Sequence, residues 1–368
     1  FGGQFAHLIA RRVRDLGVSA EILPVTASLE EIKALSPAGI ILSGGPMSVL
    51  DDGAPLPEKG VFTFGVPVLG ICYGHQAMAH LLGGKVTPGK EREFGKETIK
   101  VVAKKGVLKG LSAKEVVWFS HGDQATKLPK GFTVTATTPS CKYAGFMDAK
   151  RKFYGIQFHP EVTHTTHGTE VLKNFLFDIV NAKKDWKIKA VGEKIIADIK
   201  EEVGSAHVLV GISGGVDSLV AATLIHRAIG NQLHAVFVDT GLLRKGEVEQ
   251  VSAYLKKHGF KGLHVIDASR IFLSKLSGIT DPEQKRKIIG HTFIEVFEKA
   301  IEEELADFPI KYLAQGTIYP DRIESAATGK QASKIKSHHN LTLPERFGLK
   351  VLEPIKDLYK DEVRRVGA

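Results

Sequence analysis

Two sets of residues in this chain have types and spacing suited to covalent chemistry. The first centres on Cys72 in Gly70-Ile71-Cys72-Tyr73-Gly74, after the apolar run Val66-Pro67-Val68-Leu69 and before the helical pattern Ala77 to Leu82. Flanking glycines permit a sharp strand-to-helix turn that presents the middle side chain at a helix N-terminus, where the dipole favours the reactive thiolate. A cysteine after an apolar strand is, by itself, more often a small buried hydrophobe. The balance is tipped by Phe153-Tyr154-Gly155-Ile156-Gln157-Phe158-His159-Pro160-Glu161. In an extended segment, positions i and i+2 share a face, so His159 and Glu161 point the same way and Pro160 keeps the chain extended between them. A nucleophilic thiol needs a base, and the base needs an acceptor to orient it. Cys72, His159 and Glu161 supply all three.

The second set is Ser213-Gly214-Gly215-Val216-Asp217-Ser218, between the apolar run Val208 to Ile212 and the apolar pattern Leu219 to Ile225. It reads as a loop between a buried strand and a helix. Two glycines let the backbone approach a ligand, the helix start offers unpaired N–H groups, and Ser213 and Ser218 add hydroxyls, all of which suit phosphate. No lysine follows the second glycine, so this is not a Walker loop, whose lysine reaches the terminal phosphates. A Gly-Gly pair alone could merely turn the chain; six residues in this context point to a nucleotide.

The elements that must carry these residues alternate between helical and extended patterns. Phe5, Leu8, Ile9, Val13 and Leu16 fall at helical spacing, with Gly17 as a stop. A strand (Ala20 to Leu23), a helix (Leu29 to Leu35) and a strand (Gly39 to Leu42) follow, the last running into Ser43-Gly44-Gly45-Pro46. Val171 to Val180 reads as an amphipathic helix, and the polar run 181–185 as a linker. Beyond it come a helix from Trp186 to Val203, the strand feeding the Ser213 loop, a strand ending at Asp239, a helix (Glu247 to His258) and a strand from Gly262 to Ile266. The expectation is an α/β chain of two doubly wound domains with mainly parallel sheets, 1–182 and 183–368, with ligands at the carboxyl ends of strands. Asp239 either accepts hydrogen bonds from a nucleotide or anchors its own turn. The cations of Asp281 to Gly290 read as a solvated helix face. Gln315 to Asp321 and Lys336-Ser337-His338-His339-Asn340 form irregular stretches of the kind found in active-site lids.

Several features have plainer readings. Cys141, in a turn before a strand, is structural. Ser120-His121-Gly122-Asp123 is expected to be a turn lining the Cys72 pocket rather than a second triad, because adjacent positions do not converge on one atom. His164 and His167 match no metal-ligand spacing. The 368 residues are 43% hydrophobic and 25% charged, which suits a globular protein of two or three domains. No apolar run approaches a membrane span and no signal peptide is visible. Two cysteines cannot build a disulfide framework, so a reducing, cytoplasmic setting is expected. The net charge of +9 is scattered, which favours small phosphorylated partners over nucleic acid. The chain opens at Phe1 rather than methionine, so a preceding segment is expected.

G-x-C-x-G-x-Q with H-P-E resembles the class I glutamine amidotransferase domain, a flavodoxin-like fold, over residues 1 to about 180. S-G-G-V-D-S resembles the PP-loop of the ATP pyrophosphatases. V-F-V-D-T-G-L-L-R, D-P-E-x-K-R-K-I-I-G, Q-G-T-I-Y-P-D-x-I-E-S and K-S-H-H-N, in this order, are similar to the glutamine-hydrolysing GMP synthase family over nearly the whole chain. The resemblance implies that Cys72 attacks the amide of glutamine to give a thioester, that His159 protonates departing ammonia and then activates water, and that Glu161 holds the imidazole. Backbone N–H groups at Gly45 and Tyr73 would form an oxyanion hole, with Gln76 in the glutamine site. ATP would adenylate the C2 oxygen of xanthosine 5′-monophosphate (XMP), with pyrophosphate in the loop 213–218, Asp239 in the ATP site, Mg²⁺ at Asp217, and Arg286 and Lys336 on XMP; ammonia would then displace AMP to give GMP. The resemblance also implies a homodimer through a C-terminal domain beyond Ala368. The alternatives are another PP-loop amidotransferase of the NAD or asparagine synthetase kind, a tRNA-modifying PP-loop enzyme, and a non-catalytic sensor.

Overall fold

The computed structural model describes residues 1–3, 5–321 and 348–367, and only the backbone of residues 90–92. The chain divides into two compact units, Phe1–Trp186 and Lys187–Ala368. The first unit contains α1 (Ala6–Asp15), α2 (Leu29–Ala34), β1 (Ile40–Leu42), β2 (Val68–Ile71), α3 (Tyr73–Leu81), β3 (Lys85–Val101), β4 (Lys114–Lys127), β5 (Thr133–Thr137), β6 (Gly145–Asp148), β7 (Phe153–Ile156) and α4 (Gly168–Lys173), which runs on into a π-helical turn, Asn174–Ile179. The second contains α5 (Ile188–Val203), β8 (His207–Ile212), α6 (Val216–Ile229), β9 (Leu233–Asp239), α7 (Glu247–Lys257), β10 (Leu263–Asp267), α8 (Ser269–Leu276), α9 (Pro282–Glu304), β11 (Ile310–Ala314), β12 (Lys350–Leu352) and α10 (Lys360–Val366).

The first sheet has the order β1-β2-β7-β6-β5-β3-β4. Its β1, β2 and β7 are parallel, whereas the pairs from β7 through β6, β5 and β3 to β4 are antiparallel. Short connections explain the mixture, because consecutive strands joined by tight loops must run antiparallel. Alternation along the strands buries both faces: Val68 and Phe153 pack in a cluster with Tyr73 and Met78 of α3, while Leu69, Ile71, Tyr154 and Ile156 pack with Ile9 of α1 and Val171 of α4. Helices therefore cover both sides. The strand expected at Ala20–Leu23 does not form. The carbonyl of Ala20 instead accepts from the Arg14 guanidinium, at 3.2 Å from Nε and 2.8 Å from Nη2, which takes the place of a ladder partner. The expected turn at Ser120–Asp123 is part of β4, held by β3 in the register Glu93↔His121 and Phe94↔Ser120.

The second sheet is wholly parallel, in the order β10-β9-β8-β11-β12. The chain winds outward from β8 to β10 and then returns to place β11 on the other side of β8. That reversal opens a crevice at the carboxyl ends of β8 and β11, the place where doubly wound sheets bind ligands. Leu209, Val236, Val238 and Leu313 of the sheet pack with Phe272 of α8 and Val296, Phe297 and Ile301 of α9, while α5, α6 and α10 pack together. The cations of residues 281–290 do start a helix: Asp281 caps α9 by accepting from the N–H of Gln284 at 2.8 Å.

Candidate functional sites

In the first unit, β2 ends at Ile71 and α3 begins at Tyr73, so Cys72 makes the whole turn. It does so at φ 53°, ψ −108°, a conformation that costs a non-glycine residue about 1–3 kcal/mol and persists only where packing enforces it. The flanking glycines show how. A Cβ on Gly74 would stand 2.2 Å from the carbonyl oxygen of Leu42, and one on Gly70 would stand 2.6 Å from the carbonyl oxygen of Gly74. The elbow is thus pressed onto β1, and Gly74 donates its N–H to the carbonyl of Ser43 at 3.0 Å. The sequence spacing G-x-C-x-G is a packing requirement as much as a turn requirement.

The same elbow gathers the other residues. His159 and Glu161 are buried, and Nδ1 of His159 lies 2.7 Å from Oε1 of Glu161. Gly44 stands beside both side chains: a Cβ there would lie 3.0 Å from Cε1 of His159 and 3.7 Å from Cβ of Cys72. Burial alone would lower the proton affinity of His159, but hydrogen bonds to Cys72 and Glu161 and the charges of both push its pKa up to about 10. The arrangement therefore favours a protonated imidazole held beside the sulfur: a proton donor already in place next to a candidate nucleophile.

Gly45 packs against the ring of Tyr73, at 3.2 Å from a built Cβ to Cγ, and the N–H of Tyr73 heads the first turn of α3, where helices leave donors without internal partners. Gln76 is buried with its amide committed to the protein, donating to the carbonyl of Asp123 at 2.6 Å and to Oε1 of Gln157 at 3.3 Å. It ties α3 to β4, whose Ser120 carbonyl accepts from Sγ of Cys72 at 3.4 Å. His164 and His167 lie apart from this cluster, the first against the Trp118 ring and the second 2.6 Å from Oε2 of Glu115. Cys141 is fully buried, and burial together with the Glu93 charge pushes its thiol up to about 12.

In the second unit, Ser213 to Ser218 leave β8 and enter α6. Gly214 takes φ +76°, and a Cβ there would meet Oε1 of Glu247 at 2.8 Å. Hydroxyls shape the loop: the Oγ atoms of Ser213 and Ser218 lie 3.0 Å apart, Ser218 donates to the carbonyl of Gly215 at 3.1 Å, and the N–H of Gly215 reaches Ser213 Oγ at 3.3 Å. Val216 is the first residue of α6, and Asp217 lies in its first turn. Oδ2 of Asp217 pairs with the ammonium of Lys360 at the start of α10, while its Oδ1 is buried and without a hydrogen-bond partner. Gly316, two residues beyond β11, packs against the start of α6: a Cβ there would stand 3.0 Å from the backbone nitrogen of Ser218.

Lys360 escaped the sequence reading because a single lysine at a helix start looks like a solvated charge. Its proximity to the loop follows only from the sheet order that brings the chain's end back to β8. Asp239 anchors its own turn, accepting from the N–H of Gly241 at 2.8 Å through Oδ1. Arg286 is exposed on α9 and pairs with Glu283 at 3.3 Å. Lys336 lies outside the described residues.

Known proteins match both units. The family described as "Glutamine amidotransferase class-I" matches residues 1–179, and the family described as "NAD synthase" matches residues 188–285. A GMP synthase [glutamine-hydrolyzing] of Aquifex aeolicus is 50% identical over 369 residues, covering 100% of this chain and 71% of its own length. One from Neisseria meningitidis serogroup B is 53% identical over 373 residues with the same coverage. Among solved structures, a glutamine amidotransferase from Thermotoga maritima is 21% identical, covers 47% of this chain and 91% of its own, and superposes with a TM-score of 0.39. The NAD synthase match reflects the shared phosphate-loop unit, whereas the whole-chain relatives carry both units in this order; the chain belongs to the family of glutamine-hydrolysing GMP synthases.

Proposed function

We propose that the two sites divide this family's reaction, with glutamine cut in the first unit and the freed ammonia used in the second. Cys72 adds to the side-chain amide of glutamine, and the resulting oxyanion sits against the N–H groups of Gly45 and Tyr73. His159 gives its proton to the departing ammonia, leaving a thioester, and then takes a proton from the water that releases glutamate. Glu161 keeps the imidazole in the tautomer and orientation both steps require. Gln76 serves glutamine through the carbonyls it fastens rather than through its own amide.

In the second unit, the loop 213–218 with the α6 N-terminus holds the β and γ phosphates of ATP, while the C2 oxygen of XMP attacks the α phosphorus and pyrophosphate leaves. Ammonia then displaces AMP to give GMP. Lys360 supplies at this loop the cation that the loop itself lacks. The orphaned, buried Oδ1 of Asp217 suits a hard cation, and Mg²⁺ held there would offset phosphate charge. Asp239 braces the loop after β9 beside the nucleotide, and Arg286 and Lys336 are assigned to XMP. The amidotransferase unit is taken as 1–182 and the ATP pyrophosphatase unit as 183–368. The reading includes a homodimer, small-molecule substrates without nucleic acid or membrane, and a cytoplasm that keeps Cys72 and Cys141 reduced.

The observation that carries the reading is the elbow that sets Cys72 against a His159–Glu161 pair in the same chain as the Ser213 loop. The decisive experiment is release of pyrophosphate from ATP. It should require XMP, and release that is indifferent to XMP, or absent with it, would overturn the assignment of the second site.

A further inference from the structure

The three residues of the His-Pro-Glu segment are each gripped through their backbone carbonyls by a different part of the first unit. Oγ1 of Thr165 donates to the carbonyl of His159 at 2.5 Å. The carbonyl of Pro160 lies against Gly168 so closely that a Cβ there would come within 1.9 Å of its oxygen. Nε of Arg12, on α1, donates to the carbonyl of Glu161 at 3.1 Å.

Thr165 is buried and does two jobs with one hydroxyl. While donating to His159, it accepts from the N–H of Trp118 at 3.1 Å; the N–H of His159 donates in turn to the carbonyl of Trp118 at 3.0 Å, and the N–H of Thr166 to that of Val116 at 3.1 Å. The segment after β7 has left the sheet, and the hydroxyl stands where a strand's carbonyl would stand, docking the His159 backbone onto β4. That same stretch of β4 carries the Ser120 carbonyl against Sγ of Cys72. Arg12 fixes the other end of the segment to α1, and the Phe5 ring that precedes α1 sits edge-on to the imidazole, 5.3 Å between centroids. Neither Thr165 nor Arg12 touches a reacting atom.

We propose that Thr165 and Arg12 are positioning residues for glutamine hydrolysis, a clamp that holds the His159 and Glu161 side chains in register with Cys72. The proposal rests on the roles assigned above to Cys72, His159 and Glu161. A catalytic pair mounted on an irregular segment drifts unless its backbone is pinned, and a displacement of about 1 Å costs on the order of 100-fold in rate.

The test compares glutamine-driven with ammonium-driven GMP formation in the same enzyme. Thr165→Val should lower the glutamine kcat about 10- to 100-fold, leave the glutamine KM within about twofold, and spare the ammonium-driven rate. Thr165→Ser, which keeps the hydroxyl, should restore most of the loss. Arg12→Met should lower the glutamine kcat in the same selective way. An unchanged glutamine kcat in both variants, an effect confined to KM, or a serine variant as slow as the valine one would overturn the clamp. If Thr165→Val does not fold, Arg12→Met, which alters a partly exposed side chain, decides by the same readouts. Cys72→Ala runs in parallel: if it retains glutamine-driven synthesis, the reading of the elbow fails, whereas its loss with both clamp variants intact sinks the clamp alone.

Discussion

Nδ1 of His159 lies 2.7 Å from Oε1 of Glu161, with both side chains buried beneath the elbow that holds Cys72. This contact, together with the hydrogen bond to Cys72, offsets the burial that would otherwise strip the imidazole of its proton, and the pKa rises to about 10. Because the folded value is raised above the ordinary 6.5 or so, the charged imidazole's contribution to stability is complete below that ordinary value and is lost as pH rises through about 10. In the proposed reaction that proton goes to the leaving ammonia, so the rate of glutamine hydrolysis should hold through the neutral range and fall on the alkaline side. Glu161→Gln removes one of the groups that raise the pKa. It should move the alkaline limb toward neutrality and lower the glutamine kcat by about 10²- to 10⁴-fold, as pH–rate profiles would show; a limb that stays in place would show that the carboxylate does not govern the imidazole.

The separation of sites predicts selective loss. Cys72→Ala should abolish glutamine-driven GMP formation while leaving synthesis from added ammonium salts within about twofold, since the second unit keeps its own loop and crevice. The variant should also melt at a lower temperature than the parent near neutral pH, because alanine keeps the strained φ but removes the hydrogen bond to Cys72 that helps raise the His159 pKa. Parallel assays with the two nitrogen sources check the first point and thermal melts the second; equal loss of both activities would refute the two-site division.

Much of this architecture was legible in the residues because local patterns carried it. The elbow, the Ser213 loop, α1 and most of the alternating elements follow from glycine spacing and apolar periodicity, which short-range sterics impose. What failed, or stayed hidden, depended on partners distant in sequence. Ala20–Leu23 has the composition of a strand, but the Arg14 guanidinium occupies its carbonyl. Ser120–Asp123 has the composition of a turn, yet a 17-residue β3 pairs it into β4. The mixed sheet of the first unit follows from strands whose lengths and connections periodicity does not specify. Thr165, Arg12 and Lys360 bear no local signature, since a hydroxyl or a cation acquires its role only from what the fold sets opposite it.

Lys360 provides a prediction of that kind. Its ammonium contacts Oδ2 of Asp217 at the phosphate loop, although the two residues are 143 positions apart. The pair is only partly exposed, and pairs at the surface contribute about 1 kcal/mol, so Lys360→Met should lower the melting temperature by only a few degrees. If the lysine instead serves pyrophosphate, the same variant should slow XMP-dependent pyrophosphate release about 10²- to 10³-fold, the scale of losing one donor that stabilises developing charge. Glutamine hydrolysis in the first unit would be spared. Unimpaired pyrophosphate release in Lys360→Met would restrict the contact to a structural ion pair.

A row of imidazoles at the amino ends of β8, β9 and β10 makes the second unit acid-sensitive. Nδ1 of His207 lies 2.8 Å from Nε2 of His234, Nδ1 of His234 lies 3.4 Å from Nε2 of His264, and Nδ1 of His264 lies 3.1 Å from Oε2 of Glu304. With Glu304 as the terminal acceptor, each ring donates from Nδ1, and His234 and His264 accept at Nε2, an order that leaves His234 no room for a second proton. Its burial, and then the neighbouring His207 and His264, bring its pKa down to about 4. The unfolded histidine titrates near 6.5, so between about 6.5 and 4 the unfolded chain binds a proton that the folded chain refuses. Stability is therefore lost as pH falls through that window and levels off below it. Denaturation of the wild type at a series of pH values should show this slope, and His234→Leu should flatten it by up to one proton per unfolding event. His75 in the first unit, buried and lowered to about 3, contributes a slope of the same sign that persists in the variant. An unaltered slope in His234→Leu would mean that the imidazole row does not govern the acid response.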